Sequence, residues 1–342
     1  MGGISSTESS GGKNFEGLEV REKVSVEDFD LIKFIGKGTF GKVYLVREKA
    51  SDKLFAMKVL KKSQVVDSGQ VEHTKAERDI LARSTHPFLI ALRYAFQSKN
   101  KLYLIMEYLD GGELFTHLRK YRSLPEEWLR FYGAEIISAF SYLHSKGIAY
   151  RDLKPENVIM EGSGHIKLTD FGLAKELGEG TETLCGTPAY SAPEMLKGKI
   201  YGLEVDLWAF GILLYELATG TTPFYHKNRV FMCKKIIHES PNFPEHFSSE
   251  LKDLLEGLLR KDQTERYSLI QVKQHPFFEG ISWEDVEKKK LKPPIVPDNP
   301  GGTSQLEQED ESSFPNYSPS PGCDSDKFSG FSFEGCSPDS EI

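Results

Sequence analysis

From Phe29 the chain alternates apolar and polar residues in the two-residue period of strands, in V-Y-L-V-R and again in L-Y-L-I-M-E-Y between Leu102 and Tyr108. The period then lengthens. Residues 70–83 read as a helix. Beyond Gly111 the segments 113–121, 126–146, 205–220, 229–238 and 249–260 space Leu, Ile, Phe and Tyr three and four apart. Pro276-Phe277-Phe278 ends this helical part. At 342 residues the chain has room for two lobes around one cleft. Residues 1–28, rich in Gly, Ser and Glu without a sustained apolar period, are expected to be disordered. After residue 278 come P-P-I-V-P (Pro293 to Pro297), a turn-rich acidic linker and F-S-G-F-S-F (Phe328 to Phe333).

Composition narrows the classes. With 39% hydrophobic and 11% aromatic residues the chain can fill ordinary globular cores. Cys185, Cys233, Cys323 and Cys336 are widely spaced and form no C-x-x-C pair, so we read them as free thiols in a reducing compartment. No apolar run approaches the roughly 20 residues that span a bilayer, and no secretory signal is seen. The expected location is cytoplasmic. Residues 298–342 hold ten acidic residues against the single Lys327, a net of −9, which leaves the rest near +1 within a total of −8. The low pI therefore comes from an acidic tail, and no nucleic-acid partner is expected.

Three motifs follow one another at set distances: Y-R-D-L-K-P-E-N (Tyr150 to Asn157), D-F-G (Asp170 to Gly172) and A-P-E (Ala192 to Glu194). Each alone is weak, but their order and spacing match the catalytic loop, metal-binding turn and activation segment of eukaryotic protein kinases, which the chain resembles. F-I-G-K-G-T-F-G-K-V, with Gly36, Gly38 and Gly41, would by itself also fit a dinucleotide-binding turn that opens a helix. Here a β-rich segment and A-M-K follow, as in the kinase hairpin. The resemblance implies an α+β bilobal kinase fold: a small β-rich lobe over residues 29–109, a larger helical lobe over 110–278 and a regulatory tail over 279–342.

It also implies roles. Asp152 would orient the acceptor hydroxyl and take its proton, Lys154 would lie near the transferring phosphate, and Asn157 and Asp170 would ligate Mg2+. Lys58, paired with Glu77, would reach the phosphates of ATP, and Gly36, Gly38 and Gly41 would let the backbone close over them. Val43 and Ala56 would sandwich the adenine, Met106 would limit the back of its pocket, and hinge backbone at Glu107 and Tyr108 would hold it. Leu81, Leu92, Tyr150 and Phe171 match the family's internal hydrophobic spine, anchored by Asp206.

Within the family, Tyr150 in Y-R-D, T-L-C-G-T-P (Thr183 to Pro188), G-I-S-W-E-D-V and F-x-x-F-S-F resemble the AGC branch, especially protein kinase B and its relatives, from Phe29 to Phe333. The 28 residues before Phe29 leave no room for a pleckstrin-homology domain. Ala189 departs from the usual Glu, and Tyr267-Ser268 from a hydrophobic residue and Gly. D-L-K-P-E-N implies Ser/Thr specificity, with Thr187 bonding near Asp152 and Lys154. Thr183 and Ser332 match regulatory phosphosites, and His73, Arg151 and Lys175 would receive the phosphate on Thr183. Ser318 and Ser320, each before a proline, resemble turn-motif sites, though Ser-Pro also occurs by chance.

Glu113, Glu156 and Glu216 match acidic positions that hold Arg upstream of the acceptor; the plainer alternatives are a helix start for Glu113 and a helix-surface charge for Glu216. The implied partners are protein substrates with upstream Arg and an upstream activating kinase, acting on a monomer. A catalytically inactive kinase-fold scaffold is the competing class, yet such proteins lose the Lys, the catalytic Asp or the metal Asp, and Lys58, Asp152 and Asp170 are present. A small-molecule kinase fits less well with A-P-E and the G-T-P loop. Gly2 with Ser6 fits the N-myristoylation pattern, and acylation there would give weak, reversible, peripheral membrane contact.

Overall fold

The alternating segments form one antiparallel sheet in a computed structural model that describes residues 24–37, 41–178, 180–297 and 325–335. Strands β1 (Phe29–Lys37), β2 (Gly41–Glu48), β3 (Leu54–Lys61), β4 (Leu92–Gln97) and β5 (Lys101–Glu107) lie in the order β1-β2-β3-β5-β4. Period-two patterning sends Phe29, Tyr44, Val46, Met57, Tyr94, Phe96, Tyr103 and Ile105 to one face, where Phe96 stacks on Tyr103 at 4.9 Å between ring centroids. Leu60, Ala95, Leu102 and Leu104 face the other way, toward α1 (Lys62–Asp67), α2 (Val71–Arg83) and the larger lobe.

The larger lobe is built from α3 (Leu114–Tyr121), α4 (Glu126–Ser145), α5 (Pro193–Leu196), α6 (Glu204–Thr219), α7 (Arg229–His238), α8 (Ser249–Leu258), α9 (Leu269–Lys273) and α10 (Trp283–Glu287). Helices α4 and α6 are buried on nearly every side, as expected of helices apolar all round. Two small two-stranded sheets lie at the cleft: β6 (Ile148–Ala149) pairs with β9 (Lys175–Glu176), and β7 (Val158–Met160) forms a hairpin with β8 (Ile166–Leu168). A sixth strand, β10 (Phe333–Glu334), adds to the free edge of β4, pairing Phe333 with Ala95.

Two boundaries differ from expectation. Order begins before Phe29: Ser25 caps a short 3-10 turn over Val26–Asp28 in a capping box, and Val24 and Val26 cover the Phe29 face of the sheet. The expected disorder through residue 28 is thereby corrected for residues 24–28, because two valines there supply apolar cover that the sheet needs. At the other end the core runs past residue 278, since Val286 and Ile295 are buried with α4. Gly2, Gly38, Ser318, Ser320, Cys323 and Cys336 lie outside the described residues. Cys185 and Cys233 are free thiols. Among the described residues no helix is long and apolar enough to cross a membrane.

Candidate active site

Three charged side chains from three elements meet in the cleft. Lys58 in β3 places its Nζ 2.6 Å from Glu77 Oε1 on α2 and 3.1 Å from Asp170 Oδ1 beyond β8. Burial opposes the charge of Lys58, but the two carboxylates outweigh it and hold the lysine above its ordinary range. Burial pushes Glu77 up, with Lys58 opposing, whereas the ammonium of Lys58 draws Asp170 down. Asp170 has φ +51°, a left-handed conformation unusual outside glycine. The turn that requires it aims the carboxylate back at Lys58 and accepts the Gly172 N–H at 3.4 Å.

The loop after β6 is anchored from beneath. Buried Asp206 accepts the N–H groups of Tyr150 at 2.9 Å and Arg151 at 2.8 Å, and His144 Nε2 lies 2.9 Å from it. Leu81, Leu92, Tyr150 and Phe171 are all buried in one core, with Tyr150 and Phe171 edge to face at 5.3 Å. Above that base, Lys154 Nζ donates to Asp152 Oδ2 at 2.8 Å and to Thr187 Oγ1 at 3.4 Å. Burial raises the Asp152 carboxyl against the opposing pull of Lys154 and Asn157. The Asn157 amide nitrogen donates to the Asp152 carbonyl and to Asp152 Oδ2, each at 2.8 Å. A backbone carbonyl can only accept, so it is the Asn157 amide nitrogen that faces Asp152, and the side-chain oxygen is turned away from it.

Asn157 is tied to the Asp170 turn, for its carbonyl accepts the Thr169 N–H at 2.9 Å. Two oxygen donors of this kind suit a hard divalent cation that takes its other ligands from phosphate and water. Among the described residues no group of three His, Cys, Asp or Glu could hold a metal by itself.

Above the cleft, Val43 lies opposite Lys58, and Ala56 opposite Met106, in half-buried positions. Gly36 and Gly41 stand on either side of residues 38–40; a Cβ on Gly41 would meet the Val59 carbonyl at 2.4 Å. The Glu107 N–H goes to the Ala91 carbonyl at 3.1 Å and its side chain accepts Lys167 Nζ at 2.6 Å, while Tyr108 follows half-buried. No motif marked Lys167; its partner lies 60 residues away.

Exposed Thr183 meets Thr181 Oγ1 at 3.1 Å, and that hydroxyl accepts Lys175 Nζ at 3.1 Å. Arg151, at φ +65°, donates to the Leu173 carbonyl and the Tyr201 hydroxyl. His73 is held below its usual range by burial and by the charges of Arg151 and Lys175, so the three basic groups share one neighbourhood. The three glutamates also converge. Burial and the charge of Glu156 raise both Glu113 and Glu216, the latter to about 7. Tyr190 donates its hydroxyl to Glu216, a partner that no sequence motif indicated.

The end of the chain lies against the small lobe. Phe328 and Phe331 are fully buried and Phe333 is partly so. Arg78 on α2, one residue after Glu77, donates to the Gly330 carbonyl at 2.7 Å, Gln97 to the Phe328 carbonyl at 2.9 Å and Arg93 to the Gly335 carbonyl at 2.6 Å. Ser332 remains exposed.

Residues 29–278 match the family described as protein kinase domain. The chain is 48% identical over 293 residues to the RAC family serine/threonine-protein kinase homolog of Dictyostelium discoideum, covering 84% of this chain and 66% of that one. It is 48% identical to the human RAC-beta serine/threonine-protein kinase, covering 82% of this chain and 60% of that one. Against the RAC serine/threonine-protein kinase of Drosophila melanogaster it is 47% identical, with 81% and 46% covered. The chain thus spans from under half to about two thirds of these curated relatives. With 250 of its residues, 29 through 278, inside the family's profile and the cleft residues assembled as described, the chain belongs to the protein kinase family, in the AGC branch and similar to the RAC, or protein kinase B, kinases.

Proposed function

We propose that the protein transfers the γ-phosphoryl group of Mg-ATP to Ser or Thr of protein substrates that carry Arg upstream of the acceptor. The carrying observation is the ammonium of Lys58 held between Glu77 and Asp170, with Asp152, Lys154 and Asn157 hydrogen-bonded together beside it. A loose phosphoryl-transfer transition state needs positioning and charge balance more than covalent help. Lys58 would hold the nucleotide phosphates and Lys154 the transferring group, Asn157 and Asp170 would hold Mg2+, and the cation would neutralise developing charge on the phosphate oxygens. Asp152 would orient the acceptor hydroxyl and receive its proton. Val43, Ala56, Met106 and the Glu107–Tyr108 backbone would hold the adenine, and Gly36, Gly38 and Gly41 would admit the phosphates.

Recognition of upstream Arg would fall to Glu113, Glu156 and Glu216, because like charges crowded together gain most from a guanidinium. Phosphate on Thr183 would join the basic neighbourhood of His73, Arg151 and Lys175, linking the catalytic loop to α2. Phosphate on Ser332 would strengthen the docked tail beside α2. Both require an upstream kinase. Acylation of Gly2, phosphorylation of Ser318 and Ser320, a monomeric state and a cytoplasmic location belong to the same reading. A positional peptide-library assay on the purified protein, phosphorylated and unphosphorylated, with Mg-ATP tests it. Ser/Thr phosphorylation with enrichment of Arg two or three residues upstream is expected. Nucleotide binding without turnover in either form would instead favour the inactive scaffold.

A further inference from the structure

Glu161, Lys167 and Lys289 stand outside every motif, yet they form one chain of alternating charge with Glu107. Lys289 Nζ lies 2.8 Å from each carboxylate oxygen of Glu161. Lys167 Nζ lies 3.5 Å from Glu161 and 2.6 Å from Glu107, whose carboxylate also accepts the Ala91 N–H at 2.7 Å. The Lys167 side chain is 10% exposed and that of Glu107 31%, so solvent and salt screen this chain less than an ordinary surface pair. One end is the segment just after α10. The other is the last residue of β5, where the chain crosses between lobes, and between them runs the β7–β8 hairpin that joins Asn157 to Asp170.

The backbone at Lys289 is a second observation. It follows the C-cap Lys288 of α10 with φ +51°, a left-handed position where helix ends favour glycine. Its side chain, paired with both Glu161 oxygens, also lies over the Phe88 ring at 5.7 Å. The same segment presses on the same hairpin a few residues later: a Cβ on Gly164, at φ +91°, would meet the Ile295 carbonyl at 2.1 Å.

We propose that Lys289 is a positioning residue for the nucleotide site, fixing the β7–β8 hairpin and the Glu107 hinge through Glu161 and Lys167 without touching nucleotide. The inference rests on the Mg-ATP reading above. Lys289→Gly separates the possibilities, because glycine relieves the left-handed backbone while removing the ammonium. A helix-ending role alone predicts an equal or higher melting temperature and unchanged kinetics. Positioning predicts a KM for Mg-ATP raised roughly three- to tenfold with kcat nearly kept, as expected when one member of a coupled network is removed. Lys289→Arg should restore KM, and Glu161→Gln, which keeps shape and loses charge, should raise it as Lys289→Gly does. Unchanged KM in both Lys289→Gly and Glu161→Gln, in a wild-type background that turns over Mg-ATP, would overturn the positioning role alone. Absence of Mg-ATP binding by the wild-type protein would overturn the reading of the site and this inference with it.

Discussion

In the cleft, Glu77 is 4% exposed and has an ammonium 2.6 Å away; at the rim of the larger lobe Glu216 is also largely covered, but the charge acting on it is another carboxylate, Glu156. Burial raises the carboxyl in both places. Only in the cleft does a fixed cation oppose that rise. The contrast separates charge compensated within the protein from charge that, on the proposed reading, is left for an incoming cation. On the proposed reading an arginine substrate would relieve the like-charge crowding at the rim, whereas breaking the cleft pair would leave an uncompensated buried ion.

The largest expected effect is on turnover at the point where the two regions meet. Asp152→Asn should lower kcat by about 100- to 10,000-fold while Mg-ATP affinity stays within a few-fold, measured by steady-state kinetics and calorimetry. Normal turnover would remove Asp152 from its proposed role.

Next comes stability. Lys58→Met strips Glu77 of its nearest cation, and loss of one partner of a buried pair costs about 3–5 kcal/mol. Glu77, already raised by burial, would lose the cation that opposes the rise and be raised further. Extra stability of the protonated form is present at low pH and lost as pH rises above the ordinary carboxylate range. Denaturant melts should accordingly show a deficit that is larger at pH 8 than at pH 5, while Glu216→Gln should show none. Equal deficits in the two variants would erase the contrast.

At the rim the readout is substrate affinity. Glu216→Gln should raise KM for an Arg-bearing peptide by about tenfold, the scale of a hydrogen bond to a charged group. In the wild type that KM should fall as pH rises through about 7, because the carboxyl loses its proton there. The variant should give a flatter profile. A wild-type profile without this change would mean that Glu216 does not titrate against substrate.

The smallest effect should come from the tail, which lies against α2. Phe331→Ala removes a fully buried ring beside the Arg78–Gly330 contact. Since only local undocking opposes it, basal activity should fall roughly threefold, with partial recovery on adding a peptide of residues 325–335 in trans. Unchanged activity would disconnect the tail from the cleft.

Much of this was legible in the residues themselves. The helix read over 70–83 is Val71–Arg83, that over 126–146 is Glu126–Ser145, and 229–238 agrees at both ends. Periodicity reports which side of an element is apolar, and that is decided locally by 3.6 or 2 residues per repeat. The spacing of the motifs around Asp152, Asn157 and Asp170 was visible because one loop and one short hairpin carry them all. Glu77 was reachable only through the family resemblance, since a lone glutamate in a helix resembles any solvated one.

What tertiary structure alone decided lies where partners are distant in the chain. The two residues of β10 carry no strand signal and exist as a strand because the free edge of β4 offers hydrogen bonds to a segment more than 200 residues away. Val24 and Val26 looked like part of a polar terminus until the Phe29 face needed covering. Glu161 and Lys289, 128 residues apart, read separately as surface charges and meet only because α10 ends beside the β7–β8 hairpin. Sequence by itself determined which residues could be buried or charged together; the folded topology chose the pairs, because Coulomb attraction and packing act over a few ångströms of space and are blind to distance along the chain.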